Sequence, residues 1–466
     1  MRREIKFRYS QLATILREQI LSGYIKPGQF LLSENELCKH YNMSRTSVRK
    51  SLEELLKENL IIKKAGQGTI VSPDLVIPVT QRRTLRIVAT SPSHFADNSM
   101  QLIIDTFQLK HPNVDVKLLS FPSHDLWESI RTSSEMGLQP DIIFITDRQF
   151  METDQAETFI DLREPLKECL PSMYPRMVTA FGRDDALIAA PVTFSTVYLA
   201  YNPNLFDKYN VPRPDPNWTK EDFIRAAQKL SVDTDGDGIV DQYGMSLNSA
   251  SNRWPVFALQ NGVNFTSTTP KEPLVRTLTF IHDLLYRFRI ATLSPRFHSS
   301  SEAFIHEKAG MVLTTSIELA GWRNENLGFE PQVAALPFGD QKATLLLANA
   351  FMVPSTCSDL ELAIEFLRIA FDPTVQETIS RSSQFLSVLK SVNEKLWDKA
   401  TLESLNIVNE RIENSYFQHE IFTNWTMLEE MEAEMGLYWA GLESASSVAQ
   451  TLQSNILSQI DKNGSE

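Results

Sequence analysis

The sequence predicts an α/β protein in two parts: a small N-terminal bundle of three helices closed by a β-hairpin, and a larger body in which strands and helices alternate. Three observations predict this division. The 466 residues exceed what a single core accommodates, so two or three domains are expected. Residues 1–83 carry 15 Lys and Arg against 8 Asp and Glu, a formal +7, while the remainder carries −20. The spacing of apolar residues also changes from one helical period after another to a strand–helix alternation. With 42% hydrophobic and 22% charged residues, the composition excludes a disordered chain or a collagen-like one. Cys38, Cys169 and Cys357 are too far apart for a disulfide framework or a zinc knuckle and fit a reducing compartment. The basic start lacks the run of about 7–15 apolar residues of a secretory signal, and no run approaches the roughly 18 of a membrane span. The expectation is a cytoplasmic protein without a membrane partner.

In the head, Leu12, Ile15, Leu16 and Ile20 recur at helical spacing, and Ser22-Gly23 with Pro27-Gly28 ends the run. Ser33 followed by Glu36 forms a capping box that opens a second helix, running to about Tyr41. Ser44 caps a third, with Val48, Leu52, Leu55 and Leu56 on one face, reaching about Asn59. Two β-rich runs, residues 60–64 and 69–71, flank Ala65-Gly66-Gln67-Gly68, which has the glycines of a hairpin turn. A short turn between the second and third helices allows the third to enter a major groove. Ser44, Arg45, Thr46, Ser47 and Arg49 crowd its N-terminus, supplying hydroxyls for phosphates and guanidinium forks suited to guanine O6 and N7. The competing reading is an ordinary amphipathic helix with a solvated basic face.

Tyr9-x-Gln11-Leu12, Gly23 with Pro27-Gly28, Leu31-x-Ser33-Glu34-x-Glu36-Leu37, Ser44-Arg45-x-x-Val48-Arg49 and Gly66-x-Gly68-Thr69 together resemble the N-terminal winged helix-turn-helix of GntR-type transcription regulators. The resemblance covers about residues 5–73. It implies that Arg45 and Arg49 read bases, that Ser44, Thr46 and Ser47 hold phosphates, and that the wing tip Gly66-Gln67 enters the minor groove. Asn35 stands where many members place a DNA-contacting arginine, so it too is a candidate. Leu32, Met43 and Asn59 depart from the usual proline, valine and glycine.

Residues 74–84 read as a linker between a head at 1–73 and a body at 85–466. The body opens with strands at 85–89, 114–119 and 141–145 separated by helices at about 98–110 and 125–135, a parallel α/β sheet. Loops after the strand ends, 91–95 and 146–150, are where such sheets hold ligands. Pro191-Val192-Thr193-Phe194-Ser195-Thr196-Val197-Tyr198-Leu199-Ala200-Tyr201-Asn202-Pro203 resembles the crossover of a type 2 periplasmic solute-binding protein. Trp218-Thr219-x-Glu221-Asp222-Phe223, the run Asp233 to Gly244, Trp254-Pro255, Ala309-Gly310-Met311 and Ala334 to Pro337 extend that likeness toward the sugar-binding branch. The whole is therefore expected to be a winged helix-turn-helix plus a two-lobed α/β periplasmic-binding-protein-like domain.

A sugar site combines aromatic plates with carboxylate and amide groups. All seven tryptophans lie in the body. The ligand-binding candidates are His94, Phe95, Trp127, Asp147, Phe194, Ser195, Ser251, Trp254, Thr315, Ser316 and Asn349. Asp147 can accept two sugar hydroxyls or can cap the helix that follows it. Asp233, Asp235, Asp237 and Asp241 take positions 1, 3, 5 and 9 of an EF-hand-like loop with Gly238 at 6, but Gly244 replaces the bidentate glutamate at 12. An Asp/Gly turn closed by its own side chains is preferred to a calcium site, and no metal or cofactor is expected.

GxSxG, HExxH and GxxxxGK[ST] are absent, so no enzyme is expected. The functional expectation is a homodimeric regulator that binds double-stranded operator DNA and a small-molecule effector, a carbohydrate. The alternatives are a regulator with an aminotransferase-like pyridoxal phosphate body, and a DNA-bound protein whose body has lost its ligand.

Overall fold

The computed structural model describes residues 8–21, 25–41, 43–64, 68–75, 83–153, 156–215, 217–263, 265, 271–294, 301–322, 325, 327–408, 410–422 and 425–463. The wing-tip residues Gly66 and Gln67 and most of the expected linker lie outside these. Two compact units result. One comprises Met1–Pro92, Ile104–Ile143 and Thr356–Ala363, and the other Ser93–Ile103, Phe144–Ser355 and Ile364–Glu466.

The first unit begins with α1 (Arg8–Leu21), α2 (Glu34–His40), α3 (Arg45–Lys57) and the antiparallel pair β1 (Ile61–Lys64) and β2 (Gly68–Val71), in register Ile61↔Val71 to Lys64↔Gly68. The capping box at α2 is present: the Ser33 N–H donates to Glu36 at 2.7 Å, and the Glu36 N–H donates to Ser33 Oγ at 3.3 Å. Leu12, Leu16, Ile20, Leu37, Val48 and Leu52 meet in one buried cluster, which fixes the three helices against one another.

The same unit contains β3 (Arg83–Ser91), which pairs in parallel with a strand at Val114–Pro122 over nine residues. Asp141 secures this part through its buried carboxylate. The carboxylate accepts from the Arg86 N–H at 2.8 Å and from the Ser358 N–H and hydroxyl at 3.0 and 2.6 Å.

Beyond β3 the helices are α4 (His94–Asn98), α5 (Met100–Lys110), α6 (Leu126–Glu135) and α7 (Asp147–Met151), and the strands are β4 (Val114–Pro122) and β5 (Ile142–Thr146). The segments expected as ligand-holding loops, 91–95 and 146–150, are largely the first turns of α4 and α7. Ser93 Oγ accepts from the Ala96 N–H at 3.2 Å, and Gln149 accepts from the Thr146 N–H at 3.0 Å. These side chains meet the free donors of a helix start, so the chain turns from strand into helix with almost no loop.

The second unit carries a short ribbon, β6 (Gly182–Arg183) with β7 (Ala186–Leu187), and two larger sheets. Its strands are β8 (Ala190–Thr196), β9 (Tyr198–Tyr201), β10 (Tyr243–Asn248), β11 (Ala291–Ser294), β12 (Ala309–Thr314), β13 (Gln332–Ala334), β14 (Leu345–Met352), β15 (Leu386–Ser387) and β16 (Tyr416–Phe417). One sheet has the order β11-β10-β12-β9-β13, with β10 parallel to both neighbours and β9 antiparallel to both of its own. In the other, β8 lies between β14 and β15, antiparallel to each. β8 and β9 are consecutive, so the chain changes sheets at Val197, within the predicted crossover. Among the described residues no helix is long and apolar enough to cross a membrane.

Gly244 sets how closely the helix Lys220–Leu230 lies on β10. A methyl group there would sit 2.4 Å from both Cα and the carbonyl oxygen of Ala227, atoms that cannot swing aside. Gly244→Ala is expected to cost about 1–3 kcal/mol through overpacking, read as a lower urea midpoint at unchanged slope; an unchanged midpoint would mean that the helix is free to lift.

Candidate functional site

In the head, the third helix presents its predicted face. Ser44 is the N-cap of α3, its Oγ accepting from the Ser47 N–H at 3.2 Å and lying 2.9 Å from Ser47 Oγ. Val48, Leu52 and Leu55 are buried, which turns Arg45, Thr46 and Arg49 outward; Asn35 on α2 is exposed as well. One residue that the sequence reading left without a role organises this surface. Glu34 Oε2 accepts from Arg49 Nε at 2.8 Å and from Arg45 Nε at 3.4 Å. The Arg49 hydrogen bond holds the Glu34 carboxyl below its ordinary range. Both arginines thus engage Glu34 through the inner nitrogen. The available signal was an acidic first residue of α2, set across a short turn from two arginines one helical turn apart.

In the second unit several predicted residues converge. Ser195 Oγ on β8 accepts from the Ser316 N–H at 2.8 Å and lies 2.9 Å from Ser316 Oγ, at the start of the helix Ser316–Trp322. Thr315 Oγ1 accepts from the Glu318 N–H at 3.3 Å. His94 places its imidazole beside the same helix, so close to Gly321 that a methyl group there would meet it at 3.1 Å. Asn349 on β14 donates to Thr193 Oγ1 at 3.0 Å. Ser251 donates through its N–H and its hydroxyl to Glu432, at 3.2 and 2.7 Å.

Three residues missed in the sequence reading belong to this constellation. Arg253 pairs with Glu318 at 3.0 Å, with the arginine side chain only 5% exposed, and Glu318 also accepts from Thr314 Oγ1 at 2.8 Å. Glu432 receives Ser251. Among the described residues, the buried Arg253 Nε and Trp254 Nε1 find no acceptor. An arginine adjoining a tryptophan in sequence carries no periodic signal, and its pairing with Glu318 spans 65 positions, so sequence alone did not mark it.

Other candidates sit elsewhere. Phe95 stacks on Phe144 at 4.9 Å and touches Phe351 and Phe385, while Phe194 meets Tyr174 edge-on at 5.4 Å. Both are fully buried core residues rather than plates facing a ligand, and Trp254 is also 1% exposed, its ring against Phe265. The physical reason is that β8 is buried along its whole length on both faces, so position on the crossover does not imply access. Trp127 is half-buried on α6 in the first unit, apart from this group by membership.

Asp147 is not the cap of α7; Thr146 holds that position. Its carboxylate accepts from the Ala348 N–H at 3.1 Å on β14. Burial pushes the Asp147 carboxyl up to about 7, against the pull of the Ala348 donor, with nearby Glu420 adding to the rise.

The acidic loop is closed by its own bonds. Asp233 accepts from the N–H groups of Gly236 and Gly238 at 2.6 and 2.7 Å, and Asp241 from the Thr234 N–H at 3.0 Å. Asp233, Asp235 and Asp237 are all exposed, with one oxygen of each within 4.8 Å of the others.

These features define a class: a helix-turn-helix module with an outward basic recognition face, joined to a two-lobed solute-binding fold. Residues 103–403 match the bacterial extracellular solute-binding proteins, and residues 8–71 match the gntR family of bacterial regulatory proteins. The chain belongs to the bacterial extracellular solute-binding protein family and carries a gntR-family regulatory domain at its N-terminal side.

Its head is 44% identical over 68 residues to the uncharacterized HTH-type transcriptional regulator YurK of Bacillus subtilis, covering 14% of this chain and 28% of that protein. It is 34% identical over 92 residues to the arabinose metabolism transcriptional repressor of Halalkalibacterium halodurans, covering 19% and 24%. The chain thus spans about a quarter of the length of these regulators. Among solved structures, it resembles an ABC substrate-binding protein from Listeria monocytogenes in complex with cycloalternan. That likeness has a TM-score of 0.67 at 18% identity, over 82% of this chain and 99% of that one. It also resembles a maltose/maltodextrin-binding domain from Bdellovibrio bacteriovorus bound to maltotriose, with a TM-score of 0.64 at 16% identity, over 81% and 100%. The body therefore has a solute-binding fold and not the aminotransferase-like one held as an alternative.

Asp147 generates a pH prediction. Its folded pKa lies above the ordinary 3.8, so the folded state retains a proton that the unfolded chain releases. The associated stability is complete below about pH 4 and is lost as pH rises through about 7. Asparagine has no such proton and keeps the acceptor for Ala348. Urea unfolding of Asp147→Asn should gain on wild type between pH 5 and pH 8, by at most about 3 kcal/mol. A pH-independent difference would place the carboxylate in a solvated setting.

Proposed function

We propose that this chain is a ligand-responsive transcription regulator, in which α3 of the head reads double-stranded operator DNA and the body clasps a sugar or oligosaccharide without converting it. The observation that carries the reading is the union in one chain of an exposed Arg45–Arg49 face with a fold otherwise used to hold solutes. Arg45 and Arg49 act as base readers, Ser44, Thr46 and Ser47 as phosphate contacts, and Asn35 with the wing residues Gly66 and Gln67 as flanking contacts. Two heads on a pseudo-palindromic operator call for a homodimer, because half-site spacing mirrors protein symmetry. A protein working on chromosomal DNA acts in the cytoplasm.

For the body, Thr315, Ser316, Ser251, Asn349 and His94 provide hydroxyl, amide and imidazole groups, Ser195 holds Ser316 from behind, and Arg253 adds a buried donor. Such groups suit a ring of sugar hydroxyls. The neighbours in complex with cycloalternan and maltotriose, and the relative named for arabinose metabolism, support carbohydrate as the effector class. Closure around the solute biases a two-state body, and a differential affinity of a few kcal/mol is enough to change operator occupancy strongly.

Two measurements test the reading. Arg45→Ala should weaken operator binding by about 1–3 kcal/mol and relax base preference at one position; unchanged preference would make Arg45 a phosphate contact. Thermal-shift screening of mono- and oligosaccharides should return a hit that also alters operator affinity in a binding assay. Turnover of the hit, or operator binding indifferent to every sugar that binds, would overturn the sensor reading.

A further inference from the structure

The head does not meet the rest of its unit through a polar surface. Leu138, just past the end of α6, is 2% exposed and belongs to the same buried cluster as Leu12, Leu16, Leu37 and Leu52, with Met136 and Leu119 packed against it. The turn that delivers Leu138 is folded by its own bonds: the Gly137 N–H donates to Ser134 O at 2.9 Å and the Leu138 N–H to Ser133 O at 2.9 Å. Gly137 has φ +82°, a left-handed conformation that favours glycine, and a methyl group on it would meet Gln29 Nε2 at 3.2 Å, so the turn lies directly against the Gln29 amide.

From the head side, Gln29 bridges the seam. Its Oε1 accepts from the Lys26 N–H at 3.0 Å, and its Nε2 donates to the carbonyl of Met136. His40 at the end of α2 sets its ring edge-on to Phe121 of β4, centroids 6.0 Å apart at 82°. A small cavity at the seam is lined by Leu31, Leu37 and His40 from the head and Ser133, Met136 and Leu138 from the body.

We infer that the C-terminal turn of α6, Met136-Gly137-Leu138, is a structural part of the winged helix's own core, so that the head is docked as a rigid extension of the β3–β4 layer and is not a module swinging on residues 74–84. A tethered head would bury its apolar residues within itself and present a solvated face to the body. Here a leucine from outside completes the packing between the head helices. The inference goes beyond the functional reading and gives it a route: any movement of the β3–β4–α6 layer carries α3 with it, and one end of that route, α6, bears Trp127.

The test uses the full chain and neither DNA nor a sugar, so its failure is separate from failure of the functional reading. Spin labels at Lys57→Cys and Lys110→Cys, both exposed positions, are placed in a chain whose Cys38, Cys169 and Cys357 are replaced by serine. Double electron–electron resonance should give one narrow distance distribution, retained in Leu138→Met and broadened in Leu138→Ser. In parallel, hydrogen exchange of the unlabelled chain should show the α1 and α3 amides losing roughly tenfold in protection in Leu138→Ser, with β10 and β12 unchanged. A broad distribution before any change at Leu138 overturns the inference, and so does a narrow distribution with undiminished head protection in Leu138→Ser.

Discussion

The solute-binding half of this protein depends on one constraint: the chain leaves one sheet and enters another across a single buried residue. Val197 lies between β8 and β9, and its backbone is fully committed. Its N–H donates to Leu345 O at 2.9 Å, and its carbonyl accepts from Thr344 Oγ1 at 2.5 Å. The neighbouring Thr196 Oγ1 donates to Leu405 O at 2.6 Å. A strand passing between sheets exposes ladder groups that neither sheet can satisfy, and here buried hydroxyls satisfy them instead.

The head solves a different problem with related means. Its three helices are short, and isolated helices of such length are marginal in water. Serine caps at Ser33 and Ser44 define where α2 and α3 begin, and the apolar cluster supplies the rest. Glu34 then restrains two flexible arginines on the surface. Exposed ion pairs of this kind contribute little to stability. Their consequence is geometric, because an arginine whose Nε is already engaged has fewer arrangements left to sample.

How much of this could be read beforehand follows from the range of each signal. Local signals were legible: the Ser33–Glu36 box, the leucines of α3, the β-rich runs of the hairpin and the Asp/Gly turn each involve residues within about one helical turn or one tight turn of chain. The structure places helices at Glu34–His40 and Arg45–Lys57 and paired strands at Ile61–Lys64 and Gly68–Val71, and it closes the Asp/Gly loop with its own hydrogen bonds. The crossover was legible by family likeness, since its residues are contiguous. What failed was the inference from position to exposure. Phe95 and Phe194 sit where a ligand-facing residue could sit, yet face the core: Phe194 is on a strand covered on both sides, which shows no alternation separating inside from outside, and Phe95 turns inward from a one-turn helix too short to show a period. Pairings across long sequence separations, Arg253 with Glu318, Ser251 with Glu432 and Leu138 with the head, leave no trace in local pattern.

The buried polar groups of the second unit bear on why the fold keeps them. Pairing Arg253 with Glu318 in a nearly dry setting costs desolvation of both charges, and hydrophobic residues of equal volume would often be as stable. The arrangement is also incomplete. Arg253 Nε and Trp254 Nε1 are adjacent in sequence, both buried, and neither finds an acceptor among the described residues. A scaffold selected for stability alone would lose such donors, since each unmet group costs about 1–3 kcal/mol. The proposed closure on a hydroxylated solute would give a use for them, because an acceptor arriving at either donor recovers that cost.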